Sequence, residues 1–269
     1  MQPTSAPYRS WTEDSVFPSI HAPFFLDHVT RYYHARNFIK PTDSVLDVAC
    51  GKGYGSAILA SAAKTVVGID LNETSLDLAR RHFIQPNLTF QNQDVMKADQ
   101  LGQRFDVITA YEIIEHLDAK DTDQFLAALK NSLKPGGKLL LSTPNHEVVL
   151  KAGVEVPEFH INNLTSGELS KKLRGHFPDV RIYGQYRRKG GLRDLIFHLD
   201  YFSWRHQLLA LHRFIRRGKI ISDAPKNAAR TPSDSEIWSP GQVPTEVQSY
   251  RFSPWVWKQA GLTFAVCTF

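Results

Sequence analysis

Through most of the chain, short apolar runs alternate with stretches in which apolar residues recur at helical spacing. The runs at 45–48, 66–70, 88–95, 104–110 and 139–145 read as strands, several of them apolar on both faces. Phe125, Leu126, Leu129 and Leu133 fall at i, i+1, i+4 and i+8, which predicts an amphipathic helix over 121–133. Lys134-Pro135-Gly136-Gly137-Lys138 ends it. Beyond these, 166–174 suits a helix, and 179–184 and 261–269 suit two more strands. Near the start, Phe24, Phe25, Val29, Tyr32, Tyr33 and Phe38 predict a helix within 23–39. Alternating strand and helix implies an α/β fold with a largely parallel sheet covered on both faces.

The turn after the first strand carries the chemistry. Ala49-Cys50-Gly51-Lys52-Gly53-Tyr54-Gly55-Ser56 is rich in glycine, so the backbone can bend sharply and a ligand can approach it closely. Asp70 ends the second strand about 20 residues on, where a carboxylate can accept hydrogen bonds from both ribose hydroxyls. A nucleoside ligand is implied. A dinucleotide site would need G-x-G-x-x-G, but from Asp47 this loop reads D-x-A-x-G-x-G. An acid in that place repels a pyrophosphate and suits a cationic ligand.

With Asp47, Ala49, Gly51 and Gly53, the loop resembles the first motif of the class I S-adenosylmethionine-dependent methyltransferases, with Ala49 where a glycine is usual. The order and spacing of the five strand blocks, and the Lys-Pro-Gly-Gly turn before the fifth, are similar to that family. The resemblance implies a Rossmann-like seven-stranded sheet, with 261–269 as an antiparallel seventh strand between the fifth and sixth. It implies S-adenosyl-L-methionine as cofactor, held by Asp47, Ala49, Gly51, Gly53 and Tyr54 of the loop. Asp70 and Leu71 would serve the ribose, Asp94 and Val95 the adenine with its exocyclic amine, and Tyr111 would stand at the tip of strand four. Arg31-Tyr32 resembles a block found before this loop in one subgroup, where Arg31 would pair with the cofactor carboxylate. A solvated arginine is the alternative.

Methyl transfer from a sulfonium is an in-line displacement. What remains is to align the acceptor and, for a hydroxyl, to remove its proton. Glu112-Ile113-Ile114-Glu115-His116 follows strand four, and on a helix positions 112, 115 and 116 would share a face. His116, or His146 after Asn145, is a candidate general base. Alternatively, Glu112, Glu115, His116 and His160 would bind a divalent metal that lowers the hydroxyl pKa. Ubiquinone-pathway O-methyltransferases and small-RNA terminal 2′-O-methyltransferases carry a similar Glu-x-x-Glu-His block with a later histidine. Two imidazoles favour Mn²⁺, Fe²⁺ or Zn²⁺ over Mg²⁺. In other methyltransferases Glu-His-Leu at this place only shapes the pocket.

Composition adds an asymmetry. Residues 185–260 hold 13 lysines and arginines against six acids, a net +7 in a chain of net +5. We read 1–40 as a helical lead-in over the cofactor, 41–184 with 261–269 as the cofactor-binding domain, and 185–260 as a basic insert. The insert leaves the end of strand six, at the sheet edge where ligands bind. Leu192, Leu195, Ile196, Leu199 and Phe202, then Leu208, Leu211 and Ile215, predict a mostly helical cap. Its charge suits a solvated face, a site for an anionic acceptor, or peripheral contact with an anionic membrane through Phe202, Trp204 and Phe214. Cys50 and Cys267 have no metal-ligand spacing and imply a reducing compartment. No basic-then-apolar leader precedes the domain and no apolar run is long enough to span a bilayer, so a cytoplasmic protein is expected.

The expected activity is O-methylation of a hydroxyl on a small or carrier-linked molecule such as a sugar, glycolipid or phenol. Terminal 2′-O-methylation of RNA is the enzymatic alternative, disfavoured because the chain's only basic surface is one insert. A cofactor-binding scaffold without turnover is the other.

Overall fold

A computed structural model describes residues 25–153, 155–187, 244–254 and 260–269. In chain order the elements are α1 (Phe25–Ala35), β1 (Ser44–Val48), α2 (Tyr54–Ala60), β2 (Thr65–Asp70), α3 (Glu73–His82), β3 (Leu88–Asn92) and β4 (Phe105–Tyr111). They continue as α4 (Thr122–Asn131), β5 (Leu133–Pro144), α5 (His146–Lys151), α6 (Ser166–His176), β6 (Asp179–Arg187), β7 (Tyr250–Ser253) and β8 (Leu262–Thr268). The strands form one sheet in the order β3-β2-β1-β4-β5-β8-β6-β7. The first five pair in parallel, and β8 runs antiparallel between β5 and β6 as expected.

Period-two alternation sends successive residues of each central strand into two separate cores. Leu46, Ile108, Leu139 and Leu141 join Phe125 and Leu129 of α4 and Leu169 and Leu173 of α6 on one face. Val45, Val107 and Leu140 join Phe25 and Val29 of α1 and Ala57 and Ile58 of α2 on the other. Both faces are therefore covered, which is why these strands read as continuous apolar runs. Thr165 and Glu168 form a capping box that starts α6 within a residue of its expected position.

Three expectations need correction. The sheet has eight strands, not seven, because Tyr250–Ser253 pairs antiparallel with Gly184–Arg187. β6 thus runs three residues past its expected end at Gly184, into what was read as insert. The third strand stops at Asn92, since Asp94 caps a 3-10 helix over Val95–Gln100 by accepting from the Met96 amide. The helices expected between Leu192 and Ile215, with their aromatic and basic residues, lie outside the described residues. Among the described residues, no helix is long and apolar enough to cross a membrane.

Candidate active site

Strand order reverses between β1 and β4, and the crevice beyond their C-terminal ends is where such sheets bind ligands. Each of the two strands is followed directly by a non-glycine residue in the left-handed region, Ala49 at φ +56° and Glu112 at φ +52°. For L residues that conformation costs about 1–2 kcal/mol each and persists where function or packing requires it. A cavity of about 750 Å³ opens there, within the range of small-molecule sites.

One end of the cavity is built on the glycine loop. Gly51, at φ +52°, donates its amide to Asp70 Oδ2 at 2.8 Å, and the Asn72 amide reaches Oδ1 at 2.9 Å. Asp70 thereby holds the loop against the tip of β2. Burial pushes its carboxyl above the usual range, against the pull of those amides. Gly55 lets α2 pass under Tyr32, whose ring fills the space a Cβ would need.

Asp47 lies behind the loop, fully buried. It accepts hydrogen bonds from Ser56 Oγ at 2.6 Å, Thr109 Oγ1 at 2.7 Å and the Tyr32 hydroxyl at 3.3 Å. Burial pushes its carboxyl from 3.8 up to about 6 despite those three donors. Between these values the folded chain keeps a proton that the unfolded chain has released. The group's contribution to stability is therefore fully present below about pH 4 and lost as pH rises through about 6. Asp47→Asn is expected to flatten that part of the stability profile of the ligand-free protein in denaturant titrations. Identical slopes for variant and wild type would contradict it.

The other end gathers the candidate catalytic groups. Glu112 to His116 do not form an α-helical turn, because only Ile114–His116 is helical, as a single 3-10 turn. Glu112 instead accepts from Ser142 Oγ at 2.8 Å and lies 3.8 Å from Arg31 Nη2. It does not join the other three candidate metal ligands. Glu115, His116 and His160 do converge, with one ligand atom from each within 4.8 Å of the others. Thr143 Oγ1 donates to Glu115 Oε2 at 2.9 Å, whereas Oε1 is buried without a hydrogen-bond partner. Burial, then the charge of Glu112, pushes the Glu115 carboxyl well up. Burial, with His160 nearby, lowers His116 to about 4.

Sequence reasoning missed what joins the two histidine segments. Asn162 donates its side-chain amide to Ile114 O at 3.0 Å and to Thr122 Oγ1 at 2.9 Å, and its backbone amide to Glu115 O. This pins the 157–163 loop beside the 3-10 turn, with the His116 and His160 rings 4.9 Å apart. An Asn two residues after a His carries no such signal by itself.

Of the expected cofactor residues, Arg31, Tyr32, Ala49, Gly51, Tyr54, Asp70 and Tyr111 line the cavity. Asp47, Gly53, Leu71, Asp94 and Val95 do not form its lining. His146, at the start of α5, lines it together with Glu115, His116 and His160. Arg31 is buried, at 1% exposure, rather than solvated.

Fold and switch-point crevice together define a doubly wound α/β domain whose ligand crevice is lined by Asp70 and the glycine loop. Residues 45–137 match the profile of a methyltransferase domain family. The ubiquinone biosynthesis O-methyltransferase of Coxiella burnetii (strain RSA 331 / Henzerling II) is 40% identical over 155 residues, 56% of this chain and 64% of that protein. A probable S-adenosylmethionine-dependent methyltransferase of Mycolicibacterium smegmatis is 31% identical over 131 residues, 48% of this chain and 49% of that protein. The chain therefore spans between about half and two thirds of the length of these relatives. A SAM-dependent methyltransferase from Archaeoglobus fulgidus shares the fold at TM-score 0.55 and 15% identity, over 91% of this chain and 94% of that one. Residues 45–137 therefore match a methyltransferase domain, and the likeness to the Archaeoglobus fulgidus protein shows the same fold.

Proposed function

We propose that the protein transfers the methyl group of S-adenosylmethionine to a hydroxyl of a small or carrier-linked acceptor, assisted by a divalent metal. The observation that carries this reading is one cavity lined both by Asp70 and the glycine loop and by Glu115, His116 and His160. The cofactor fits this site on its own chemistry. Arg31 lines the cavity with Nε and Nη2 buried and without hydrogen-bond partners, as a carboxylate-bearing ligand requires.

When bound, the cofactor supplies a sulfonium methyl group, whose leaving thioether needs no acid. The chain's part is to place the acceptor and promote loss of its proton. Near neutral pH His116 is uncharged, so its lone pair is available either to a metal or to a proton. The donor set of one carboxylate and two imidazoles suits Mn²⁺, Fe²⁺ or Zn²⁺. An ion there would lower the pKa of an acceptor hydroxyl, and its charge would relieve the buried Glu115.

The name of the Coxiella relative supports an O-linked product, and a phenolic acceptor is our first choice. Val149, Val156, Pro157, Phe159 and Leu262 give the cavity an apolar wall beside the histidines that suits a ring or an alkyl chain. Arg187, also on the lining, offers charge to an anionic acceptor, and the basic residues that follow it in sequence would serve that role or a membrane contact. Incubation with methyl-labelled cofactor and a panel of phenols, prenylated phenols and sugars tests the reading by mass spectrometry. The expected product is a methyl ether. Transfer only to nitrogen or carboxylate acceptors would overturn it, and cofactor binding without transfer to any acceptor would favour a scaffold.

A further inference from the structure

Arg31 sits on α1 with its guanidinium almost wholly buried, yet only one of its nitrogens has a full hydrogen bond. Nη1 donates to Gln185 Oε1 at 3.2 Å. Nη2 faces the Glu112 carboxylate as an ion pair at 3.8 Å, beyond hydrogen-bond reach, and neither it nor Nε has a hydrogen-bond partner. Buried donors left unpaired are costly, more so on a charged group. A guanidinium presents two edges to a carboxylate, one formed by Nη1 and Nη2 and the other by Nε and Nη2. Gln185 occupies the first.

The orientation of Gln185 is itself fixed. Its Nε2 donates to the Asp27 carbonyl, one turn before Arg31 on α1, at 3.0 Å. That contact can be made only by the amide nitrogen, so the amide oxygen must face Arg31. Gln185 is buried on β6, in the stretch that continues past the expected strand end and pairs with β7. β6 therefore grips α1 at two points a turn apart and sets the rotation of the guanidinium between them.

We infer that Gln185 is a positioning residue: by holding Nη1, it turns the Nε–Nη2 edge of Arg31 toward the carboxylate of the cofactor's amino-acid end. The inference rests on the cofactor reading above. It makes recognition of that carboxylate depend on the strand from which the insert departs.

Two ligands separate this role from general packing. S-adenosylhomocysteine carries the carboxylate, and 5′-methylthioadenosine has the same nucleoside and thioether without it. Calorimetric titration of the full chain is expected to show Arg31→Met and Gln185→Met each weakening S-adenosylhomocysteine by about ten- to a hundredfold, the scale of lost hydrogen bonds to a charged group. Both variants should bind 5′-methylthioadenosine as the wild type does, which also shows that they fold. The double variant should lose no more than Arg31→Met alone, because the two residues act through one contact. If Gln185→Met weakens both ligands equally, or neither, while Arg31→Met weakens only S-adenosylhomocysteine, the positioning role is overturned and the carboxylate reading stands. If Arg31→Met leaves S-adenosylhomocysteine unaffected, both fall.

Discussion

Removal of divalent metal by a chelator is expected to cut methyl transfer by ~10²–10⁴-fold, the scale on which activating an acceptor hydroxyl contributes. Mn²⁺ or Zn²⁺ should restore it. Glu115→Ala, His116→Ala and His160→Ala should each fall to the chelated level, because three ligands within 4.8 Å of one another leave no substitute when one is lost. Glu112→Ala should leave the metal concentration for half-maximal activity unchanged, since that side chain is held by Ser142 beside Arg31. Protons should compete for the buried Glu115 carboxyl, which is held well above its usual range, before they reach His116, so metal-dependent activity should weaken as pH falls. Activity that ignores the chelator but collapses in His116→Ala would replace the metal by a general base. Full activity in both cases would remove this cluster from the chemistry.

Gly53→Val is expected to abolish cofactor binding and to lower stability by about 3 kcal/mol or more, the combined cost of a left-handed branched residue and an overpacked contact. Gly53 has φ +80°, and a Cβ there would lie 2.5 Å from Ala79 Cβ and 2.8 Å from Phe90 Cζ. Neither neighbour can give way easily, because Ala79 is buried on α3 and Phe90 belongs to β3. The loop must then shift away from Asp70, and the Gly51 amide is lost from the site. Denaturant titration and ligand calorimetry on one preparation check both effects. Wild-type stability in Gly53→Val would show that the loop has another conformation available.

Much of this arrangement was legible because the sheet is parallel and covered on both faces. Val45–Val48 and Val66–Ile69 announce themselves by unbroken burial, and the glycine loop with Asp70 follows from their spacing. β7 was not legible, since four residues carry too little periodicity. Its place is set by register with β6 and by Phe252, whose ring stacks on His34 at 3.8 Å. Glu112 was misplaced because helical spacing was assumed where the backbone turns left-handed, a conformation that a glutamate does not advertise. Thr143, Asn162 and Gln185 were missed for a shared reason. Each acts by hydrogen bonding to a residue far off in sequence, and a single polar side chain does not reveal its partner.

In the proposed function, Asp70 grips a nucleoside cofactor in this cavity. Calorimetric titration of S-adenosylhomocysteine into the wild type and Asp70→Ala tests that most directly. The wild type should bind one equivalent, and Asp70→Ala should bind more weakly by ~1–3 kcal/mol, through lost ribose contacts and a loosened Gly51 loop. Equal affinity in the two proteins, or no binding to the wild type, would contradict it.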